Sequence, residues 1–413
     1  MTSRWLILAD DLTGAADCAA AFAKRGIETV VSWGVGTADA TVLAIDVDSR
    51  ALSAGEAAAR QVAAQSRHWR GGMRLYKKID STLRGQPAAE LAAQLAAPAI
   101  GAHRPPLAVV APAFPAAGRH TREGCVVVDD RPLEATELWA RDHTYASACL
   151  PDVLACAGLS SRVIALGAMR AGADPVLAHL QDAWQRGIAA VVCDSTTEAD
   201  LAIVAAASLR LRDVIWVGSA GLAGALAAKA DPQACCEHVP ALAGSVLIVV
   251  GTLAEASRRQ ARRLAQSGSV AHVMARPDML LAGCAGTAWQ AARTAIDDAM
   301  AARRDVLLEI GSESVDPHQA TALSAALAEL VAEVATAAGA LVITGGQTAR
   351  TLLSRLGVHG IRLLDEIEPG VPLGVTSGRR RMPVVTKAGA FGDADTLRRC
   401  LARLKSPTNA GSR

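Results

Sequence analysis

The sequence is poor in aromatic residues, has almost no net charge and contains no long apolar run. Aromatic side chains make up 3% of the 413 residues, so the core must be built mainly from aliphatic residues. The 42 basic and 40 acidic residues leave a net charge of +2, which gives no indication of nucleic-acid or membrane-surface binding. No segment reaches the roughly eighteen apolar residues of a membrane-spanning helix. The apolar run Trp5–Ala9 is also too short for a signal peptide.

The nine cysteines form no CxxC pair and no Cys/His ligand spacing. An odd, unpatterned set without a secretion signal favours reduced, buried thiols in a cytoplasmic protein. The adjacent Cys235 and Cys236 fall in a predicted linker, and we expect no redox role for them.

Apolar strands alternate with alanine-rich helices along the whole chain, a pattern typical of α/β folds with parallel sheets. Between two series of strands lies a linker, 231–244, with two prolines and two cysteines. We therefore expect two α/β domains, 1–230 and 245–405, each a mainly parallel β-sheet flanked by helices, followed by a frayed tail, 406–413. The predicted strands are 5–9, 29–33, 41–46, 74–78, 107–111, 162–165, 189–194, 214–217, 245–250, 270–274, 305–310, 340–344, 362–364 and 383–386.

Two adjacent carboxylates, Asp10 and Asp11, follow the first predicted strand, and Thr13 and Gly14 lead into a helix. In open α/β sheets, ligands bind beyond the carboxyl ends of the strands. A helix N-cap would explain one carboxylate but not two in a row. We therefore expect this position to carry function.

A second polar turn, 76–85, combines cations, hydroxyl groups and an acid after the fourth strand. Only six of the 42 basic residues are lysines, and Lys77 and Lys78 are two of them. Arg84 can hold a carboxylate through two parallel hydrogen bonds, while Asp80 can pair with hydroxyl groups. This favours a ligand with one carboxylate and several hydroxyls, although a capped, solvated helix start remains the alternative.

Two glycine-containing turns in the second half each join a strand to a helix. Gly345 and Gly346 follow the strand 340–344, and Gly389 lies just after Lys387 and the strand 383–386. Glycine permits close approach of the backbone, and free N–H groups at a helix start attract phosphate. The pair of turns therefore favours a nucleotide site.

Five motifs occur in order along the chain: DDLTGA, DSR, KKIDSTLRG, GGQTA and KAGAFGD. Together they resemble the four-carbon acid sugar kinase family over nearly the whole chain. Smaller pieces also fit, namely 112–115 with Gly118 and Arg119, 133–136 with Asp142, 218–222 and 369–372.

The resemblance implies that the first domain binds the acid sugar, that the second binds ATP with Mg²⁺, and that the active site lies in an interdomain cleft. The family product is a 4-phosphorylated tetronate. We favour D-threonate as the substrate, with 3-oxo-tetronate, D-erythronate and L-threonate as alternatives. The loop after strand 245–250 departs from the family's serine-rich pattern at 253–255 but keeps a hydroxyl at Ser257. The implied substrate residues are Asp10, Arg50, Lys78, Asp80, Ser81, Thr82, Leu83 and Arg84, and the implied nucleotide residues are Ser257, Gly345, Gly346, Gln347, Thr348, Lys387 and Gly389.

Phosphoryl transfer needs a group that accepts the proton of the substrate alcohol, and a carboxylate at the end of a strand suits this role. Asp10 and Asp11 are the candidates for catalysis, with Asp80 as the next choice. For Mg²⁺, which takes only one or two protein carboxylates, the sequence leaves Asp11, Glu366 and Asp393 open.

Two other function classes are alternatives. The segment 217–224 is similar to a dinucleotide-binding fingerprint, but its glycine spacing is GxxGxxG and no acid ends the next strand. Close helix packing explains those glycines better than a nicotinamide-dependent oxidoreductase does. A non-catalytic acid-sugar sensor would use the same N-terminal pocket, but the glycine turns of the second half argue against it.

Overall fold

Short apolar segments form the strands because both of their faces are covered by other parts of the protein. All five residues of Trp5–Ala9, Leu107–Ala111 and Ala340–Thr344 are buried. The computed structural model describes residues 3–34, 39–97, 105–141, 143–232, 239–311 and 319–406. The chain divides into two units, residues 1–234 and 235–413.

Unit 1 contains eleven strands in its described residues. Eight of them form one parallel sheet in the order β2-β3-β1-β4-β11-β5-β10-β9, and β6, β7 and β8 form a small antiparallel sheet. The strands are β1 (Trp5–Ala9), β2 (Thr29–Ser32), β3 (Val42–Asp46), β4 (Arg74–Lys78), β5 (Leu107–Ala111), β6 (Arg119–Arg122), β7 (Cys125–Val128), β8 (Arg131–Pro132), β9 (Ser161–Ile164), β10 (Ala190–Cys193) and β11 (Val214–Gly218).

Helices cover both faces of the unit 1 sheet. Leu6 and Leu8 of β1 pack in one apolar cluster with Leu91, while the ring of Trp5 lies 5.4 Å from that of Phe22. Alternate residues of the strand thus face different helices. The helices are α1 (Leu12–Ala23), α2 (Ala54–His68), α3 (Pro87–Ala96), α4 (Glu137–Arg141), α5 (Leu150–Ala155), α6 (Leu166–Met169), α7 (Ala173–Gln185), α8 (Glu198–Ser208) and α9 (Ala220–Ala227).

Among its described residues, unit 2 contains a seven-stranded sheet in the order β13-β14-β12-β15-β18-β17-β16. Its first five strands are parallel, and β16 and β17 add an antiparallel hairpin. The strands are β12 (Val246–Val250), β13 (Ala271–Ala275), β14 (Val306–Ile310), β15 (Ala340–Thr344), β16 (Val358–Glu366), β17 (Pro372–Gly378) and β18 (Pro383–Lys387). The helices are α10 (Glu255–Ala265), α11 (Pro277–Ala282), α12 (Thr287–Ala301), α13 (Ala320–Ala335), α14 (Gly346–Arg355) and α15 (Thr396–Lys405).

The predicted fold class, α/β with mainly parallel sheets flanked by helices, is confirmed. β17 and the small sheet of unit 1 were not predicted from the sequence. In β17 the pattern is interrupted by Gly374, where an added Cβ would lie 2.5 Å from the backbone oxygen of Arg362. A glycine that allows two strands to approach closely also interrupts the apolar pattern by which a strand is predicted. None of the helices in the described ranges is long and apolar enough to cross a membrane.

The prediction of reduced, buried thiols is wrong for four of the described cysteines. Cys156 and Cys284 are exposed thiols, and Cys125 and Cys149 form a disulfide. The disulfide partners lie opposite each other in an isolated antiparallel bridge, with their Cα atoms 3.9 Å apart. These two cysteines are 24 residues apart in the sequence, and their spacing matches no motif that would have predicted the bond. The predicted linker residues Cys235 and Cys236, Asp142 and most of the predicted tail lie outside the described residues.

The glycines of the segment 217–224 differ in what surrounds them. A Cβ on Gly218 would lie 2.6 Å from the oxygen of Ala111, and one on Gly221 would lie 2.3 Å from the oxygen of Ala113. The close packing inferred from the sequence is therefore present at these two positions. Gly224 has no atom within 4 Å of an added Cβ.

We expect Gly221→Ala to destabilise unit 1 by roughly 1–3 kcal/mol, because its methyl group would overlap a backbone oxygen that cannot move cheaply. Gly224→Ala is the matched control in the same helix, and it should be neutral or stabilising by up to about 1 kcal/mol. Urea unfolding of both variants measures the difference. Equal stabilities would contradict the packing argument.

Candidate active site

The carboxyl edge of the unit 1 sheet brings together polar residues that follow β1, β3 and β4. In the parallel register, Ala9 lies opposite Asp46 on one side and opposite Lys78 on the other. The residues after these positions leave the sheet at the same edge, where ligands of such sheets bind. Asp10 and Arg50 are among them.

Arg50 holds both of the adjacent aspartates. Its Nε donates to Asp10 Oδ2 over 2.7 Å, and its Nη2 donates to Asp10 Oδ1 over 2.9 Å. Its Nη1 donates to Asp11 Oδ2 over 2.7 Å. Each of the three guanidinium nitrogens is thus engaged within the protein, so Arg50 fixes the orientation of two carboxylates.

Asp11 also begins helix α1. Its Oδ1 accepts a hydrogen bond from the Gly14 N–H over 2.9 Å, and its Oδ2 accepts one from Thr13 Oγ1 over 2.7 Å. The N-cap interpretation of the sequence is therefore correct for Asp11. Burial alone would raise the pKa of Asp11, but the charges of Arg50 and Lys78 outweigh it and lower that pKa.

Lys78 adds a second cation behind the two aspartates. Its Nζ lies 4.0 Å from Asp10 Oδ1. A Cβ on Gly14 would lie 2.3 Å from this Nζ, so the bare backbone of Gly14 makes room for the ammonium group. Burial would lower the pKa of Lys78, but Asp10 and Asp11 outweigh it and raise that pKa.

The turn after β4 is organised around Asp80. Its Oδ2 accepts hydrogen bonds from Thr82 Oγ1, over 2.8 Å, and from Arg84 Nε. Leu83 takes a left-handed backbone conformation with φ +61°. Burial would raise the pKa of Asp80, but Arg84 and Arg50 hold it well below its usual range.

Arg84 and Ser81 complete this turn. The Arg84 side chain is 40% exposed, and Asp80 is its hydrogen-bond partner among the described residues. No acceptor in the described residues bonds its two terminal nitrogens, so they are available as donors for a ligand. Ser81, in the same turn, is buried.

The role of Glu90 near this site was not predicted from the sequence. The Oε2 of Glu90 lies 2.6 Å from Lys77 Nζ, with both side chains fully buried, and its Oε1 accepts a hydrogen bond from Ser49. The backbone N–H of Ser49 in turn donates to the backbone oxygen of Asp10 over 3.1 Å. Glu90 thus ties β4 to the loop that carries Arg50. The one feature of the sequence that could have indicated this role is that Glu90 is the single acidic residue in the otherwise apolar helix α3.

Unit 2 presents a comparable edge. Val250 of β12 lies opposite Thr344 of β15, and Thr344 lies opposite Lys387 of β18. The next residues on these strands, Gly251 and Gly345, therefore start loops at the same edge. The structure brings the two predicted glycine turns together here.

The turn into α14 depends on bare backbone. Gly345 has φ +94°, a conformation that favours glycine, and Gly346 begins the helix. Thr348 is buried and donates to the Gly251 oxygen over 3.2 Å, whereas Gln347 is exposed. The first N–H groups of α14, which have no partner within the helix, lie at this edge of the sheet, as an anion site requires.

The loop after β18 is held from inside the protein. Lys387 Nζ donates to Ser257 Oγ and to the backbone oxygens of Ala388 and Phe391, each over 3.0 Å. Ser257 Oγ donates to the Gly389 oxygen over 2.8 Å. Lys387 and Ser257 therefore fix the loop that carries Gly389, and burial lowers the pKa of Lys387 to about 8.

The three carboxylates considered for Mg²⁺ all bind donors of the protein. Asp11 binds Arg50, Glu366 Oε1 accepts from the Gly370 N–H over 2.9 Å, and Asp393 pairs with Arg399. No cluster of three metal-ligating side chains occurs in the part of the chain that the structure describes.

Comparison with known proteins identifies the chain. Residues 5–226 match the family model of a sugar-binding N-terminal domain, and residues 247–397 match that of a nucleotide-binding C-terminal domain. A D-threonate kinase of Cupriavidus necator is 43% identical, over 95% of this chain and 96% of its own length. The chain belongs to the four-carbon acid sugar kinase family.

Further comparisons agree with this membership. A D-threonate kinase of Bordetella bronchiseptica is 37% identical to this acid sugar kinase, over 97% of both chains. A solved structure from Salmonella typhimurium, described as a putative tRNA synthase, superimposes with a TM-score of 0.78 at 23% identity. It covers 96% of this chain and 98% of its own, and at that identity it shows the shared fold alone. The expected family is confirmed, and the oxidoreductase and the sensor are excluded.

We expect Lys387 to make stability depend on pH. The pKa of Lys387 in the folded protein, about 8, lies below its ordinary value of 10.5. Between these two pH values the unfolded chain binds more protons than the folded chain, so the free energy of unfolding rises with pH. The measurement is the free energy of unfolding of the parent minus that of Lys387→Met, from pH 7 to pH 10. This difference should grow by at most about 1.4 kcal/mol per pH unit. A flat difference would contradict the assignment.

Proposed function

We propose that this kinase transfers the γ-phosphoryl group of ATP to the 4-hydroxyl of D-threonate, releasing D-threonate 4-phosphate and ADP. The names of the two similar kinases support D-threonate as the substrate. In this proposal unit 1 holds the acid sugar and unit 2 holds the nucleotide, in line with the two domain descriptions.

The observation that carries the proposal is the carboxylate pair clamped by Arg50 beside the Asp80 turn. It offers oriented acceptors for hydroxyl groups and, at Arg84, an open donor for a carboxylate. Phosphoryl transfer depends mainly on positioning and on charge stabilisation. A buried, rigid set of charges supplies both without moving during the reaction.

Asp10 is our candidate for the group that accepts the hydroxyl proton. Asp11 is used as the cap of α1, and Asp80 has a pKa well below its usual range, which makes it a weak base. As the 4-hydroxyl oxygen bonds to the γ-phosphorus, its proton passes to Asp10, and the bond from that phosphorus to the β-phosphate oxygen breaks.

For the nucleotide, we propose that the phosphates lie against the glycine turns of unit 2. The backbone at Gly345 and the start of α14 provide N–H donors, and the loop at Gly389 is held by Lys387 and Ser257. ATP fits this chemistry. Mg²⁺ would neutralise phosphate charge when bound, but Asp11, Glu366 and Asp393 already bind protein donors, so we assign it no protein ligand.

The substrate assignment is tested by kinase assays with D-threonate, L-threonate, D-erythronate and 3-oxo-tetronate at saturating ATP. We expect the highest kcat/KM with D-threonate, because a buried polar site discriminates strongly against a hydroxyl in the wrong position. A higher kcat/KM with any other acid would move the assignment to that acid.

The base is tested with Asp10→Asn and Asp11→Asn, assayed at saturating ATP and acid. Asp10→Asn should lower kcat by roughly 10²–10⁴-fold. Asp11→Asn is the matched variant, since it loses the same charge next to Arg50 while asparagine still caps a helix, and it should lose much less. If both keep kcat within a few-fold of the parent, neither residue is the base and Asp80 is examined next.

A further inference from the structure

A fully buried ion pair lies at the end of β4, and the chemistry proposed above does not use it. Lys77 Nζ lies 2.6 Å from Glu90 Oε2, and neither side chain is more than 1% exposed. Such a pair adds little to stability, because the cost of taking both charges out of water offsets their attraction. Two apolar side chains of similar size would serve the fold as well, so the pair is better explained by what else Glu90 contacts.

The second oxygen of Glu90 reaches the loop that follows β3. Glu90 Oε1 accepts a hydrogen bond from the hydroxyl of Ser49, which is fully buried. The oxygen of that hydroxyl also accepts from Gln61 Nε2 of α2, over 3.2 Å. A hydroxyl has one proton to donate, and here that proton is given to Glu90. The Ser49 side chain is therefore held in one orientation between α2 and α3.

The backbone of the same loop bonds Asp10. The N–H groups of Ser49 and Arg50 donate to the backbone oxygen of Asp10 over 3.1 and 3.3 Å. The side chain of Arg50 then bonds the carboxylate of Asp10 over 2.7 and 2.9 Å. The position of Ser49 thus determines where the Arg50 side chain starts, and Glu90 bonds the residue that precedes Arg50.

The clamp of Arg50 on Asp10 also has little free space around it. Gly85 ends the Asp80 turn with φ +81°. A Cβ on Gly85 would lie 3.1 Å from Asp10 Oδ2 and 3.6 Å from the Cα of Arg50. The clamp is therefore packed against this turn as well as bonded to the loop of Ser49, so a displaced loop would move the carboxylate.

We propose that Glu90 is a positioning residue for phosphoryl transfer. Through Ser49 it holds Arg50, and thereby the Asp10 carboxylate, in the orientation that accepts the hydroxyl proton. Lys77 balances the charge of Glu90 in the interior. The inference rests on the proposed function, because it uses the role proposed there for Asp10.

Two neutral double variants isolate the contact with Ser49. Lys77→Met/Glu90→Met and Lys77→Met/Glu90→Gln both remove the ion pair without leaving a lone buried charge. They differ in that the glutamine has an oxygen that can accept the Ser49 hydrogen bond, whereas the methionine has none. Gln94→Met is the control, since Gln94 is buried one turn further along α3 and donates to Gln61 over 3.4 Å.

The measurements are kcat and KM for D-threonate and for ATP. Lys77→Met/Glu90→Met should lower kcat about ten- to hundredfold, because a displacement of about 1 Å at a reacting group can cost about a hundredfold in rate. Lys77→Met/Glu90→Gln should keep kcat within about fivefold of the parent, and Gln94→Met within about twofold. The KM for ATP should stay within about twofold in all three.

Thermal melting separates positioning from support of the fold. Lys77→Met/Glu90→Gln should melt at the lower temperature of the two double variants, because it buries an amide NH₂ group beside an apolar side chain. It should nevertheless be the more active of the two. A residue that only supports the fold would give the same order in both measurements.

Crystal structures of the double variants report the clamp directly. The two bonds from Arg50 to the Asp10 carboxylate should be lost in Lys77→Met/Glu90→Met and kept in Lys77→Met/Glu90→Gln. If the first variant does not fold, Ser49→Ala replaces it. That variant keeps the ion pair but removes the hydroxyl, and it should lower kcat at least about fivefold.

Parent kcat in a folded Lys77→Met/Glu90→Met or in Ser49→Ala would overturn this inference. Equal losses of kcat in the two double variants would do the same, as would a clamp that is intact in both crystal structures. Failure of the proposed function looks different: the parent enzyme would phosphorylate none of the four acids, while the crystal structures would still show whether Arg50 depends on Glu90.

Discussion

The clamp of Arg50 on Asp10 and Asp11 is the interaction on which the carboxyl edge of the unit 1 sheet depends. Two carboxylates in neighbouring, largely buried positions repel each other, and they persist there because one guanidinium bonds both. Removing one partner of such a group leaves an uncompensated buried charge and costs about 3–5 kcal/mol. The same cluster contains the helix cap at Asp11 and the ammonium group of Lys78, so the start of α1 and the carboxyl edge of the sheet form one electrostatic unit.

The sequence indicated much of this arrangement because its signals are local. Apolar strands ending in polar residues predicted where the sheet edges would carry Asp10, Asp80 and Gly345, and the parallel register places them there. Contacts between segments that are distant in the sequence could not be predicted in this way. Glu90 bonds Lys77 and Ser49 across three elements, and the Cys125–Cys149 bond joins positions with no common pattern.

Roles within the site were harder to infer than positions. Lys387 looked like a phosphate ligand because it stands next to a glycine turn, yet its ammonium group bonds three oxygens of the protein. Arg50 was implied as a substrate residue, and its three guanidinium nitrogens bond Asp10 and Asp11. In both cases the residue type was informative, but only three-dimensional neighbours distinguish a group that contacts a ligand from one that supports the contact.

The disulfide between Cys125 and Cys149 affects how unit 1 opens locally. It closes a loop that starts on β7, the strand paired with the one that begins at Arg119. Such a covalent link reduces the number of conformations that the unfolded loop can adopt. In the chain-entropy model this stabilises the folded state by about 3.5 kcal/mol for a loop of this size. The small sheet therefore has a source of resistance to local unfolding that is independent of the hydrophobic core. In a reducing environment the loop that starts on β7 would lose this covalent restraint, whereas the parallel sheet of unit 1 contains neither of the two bonded cysteines.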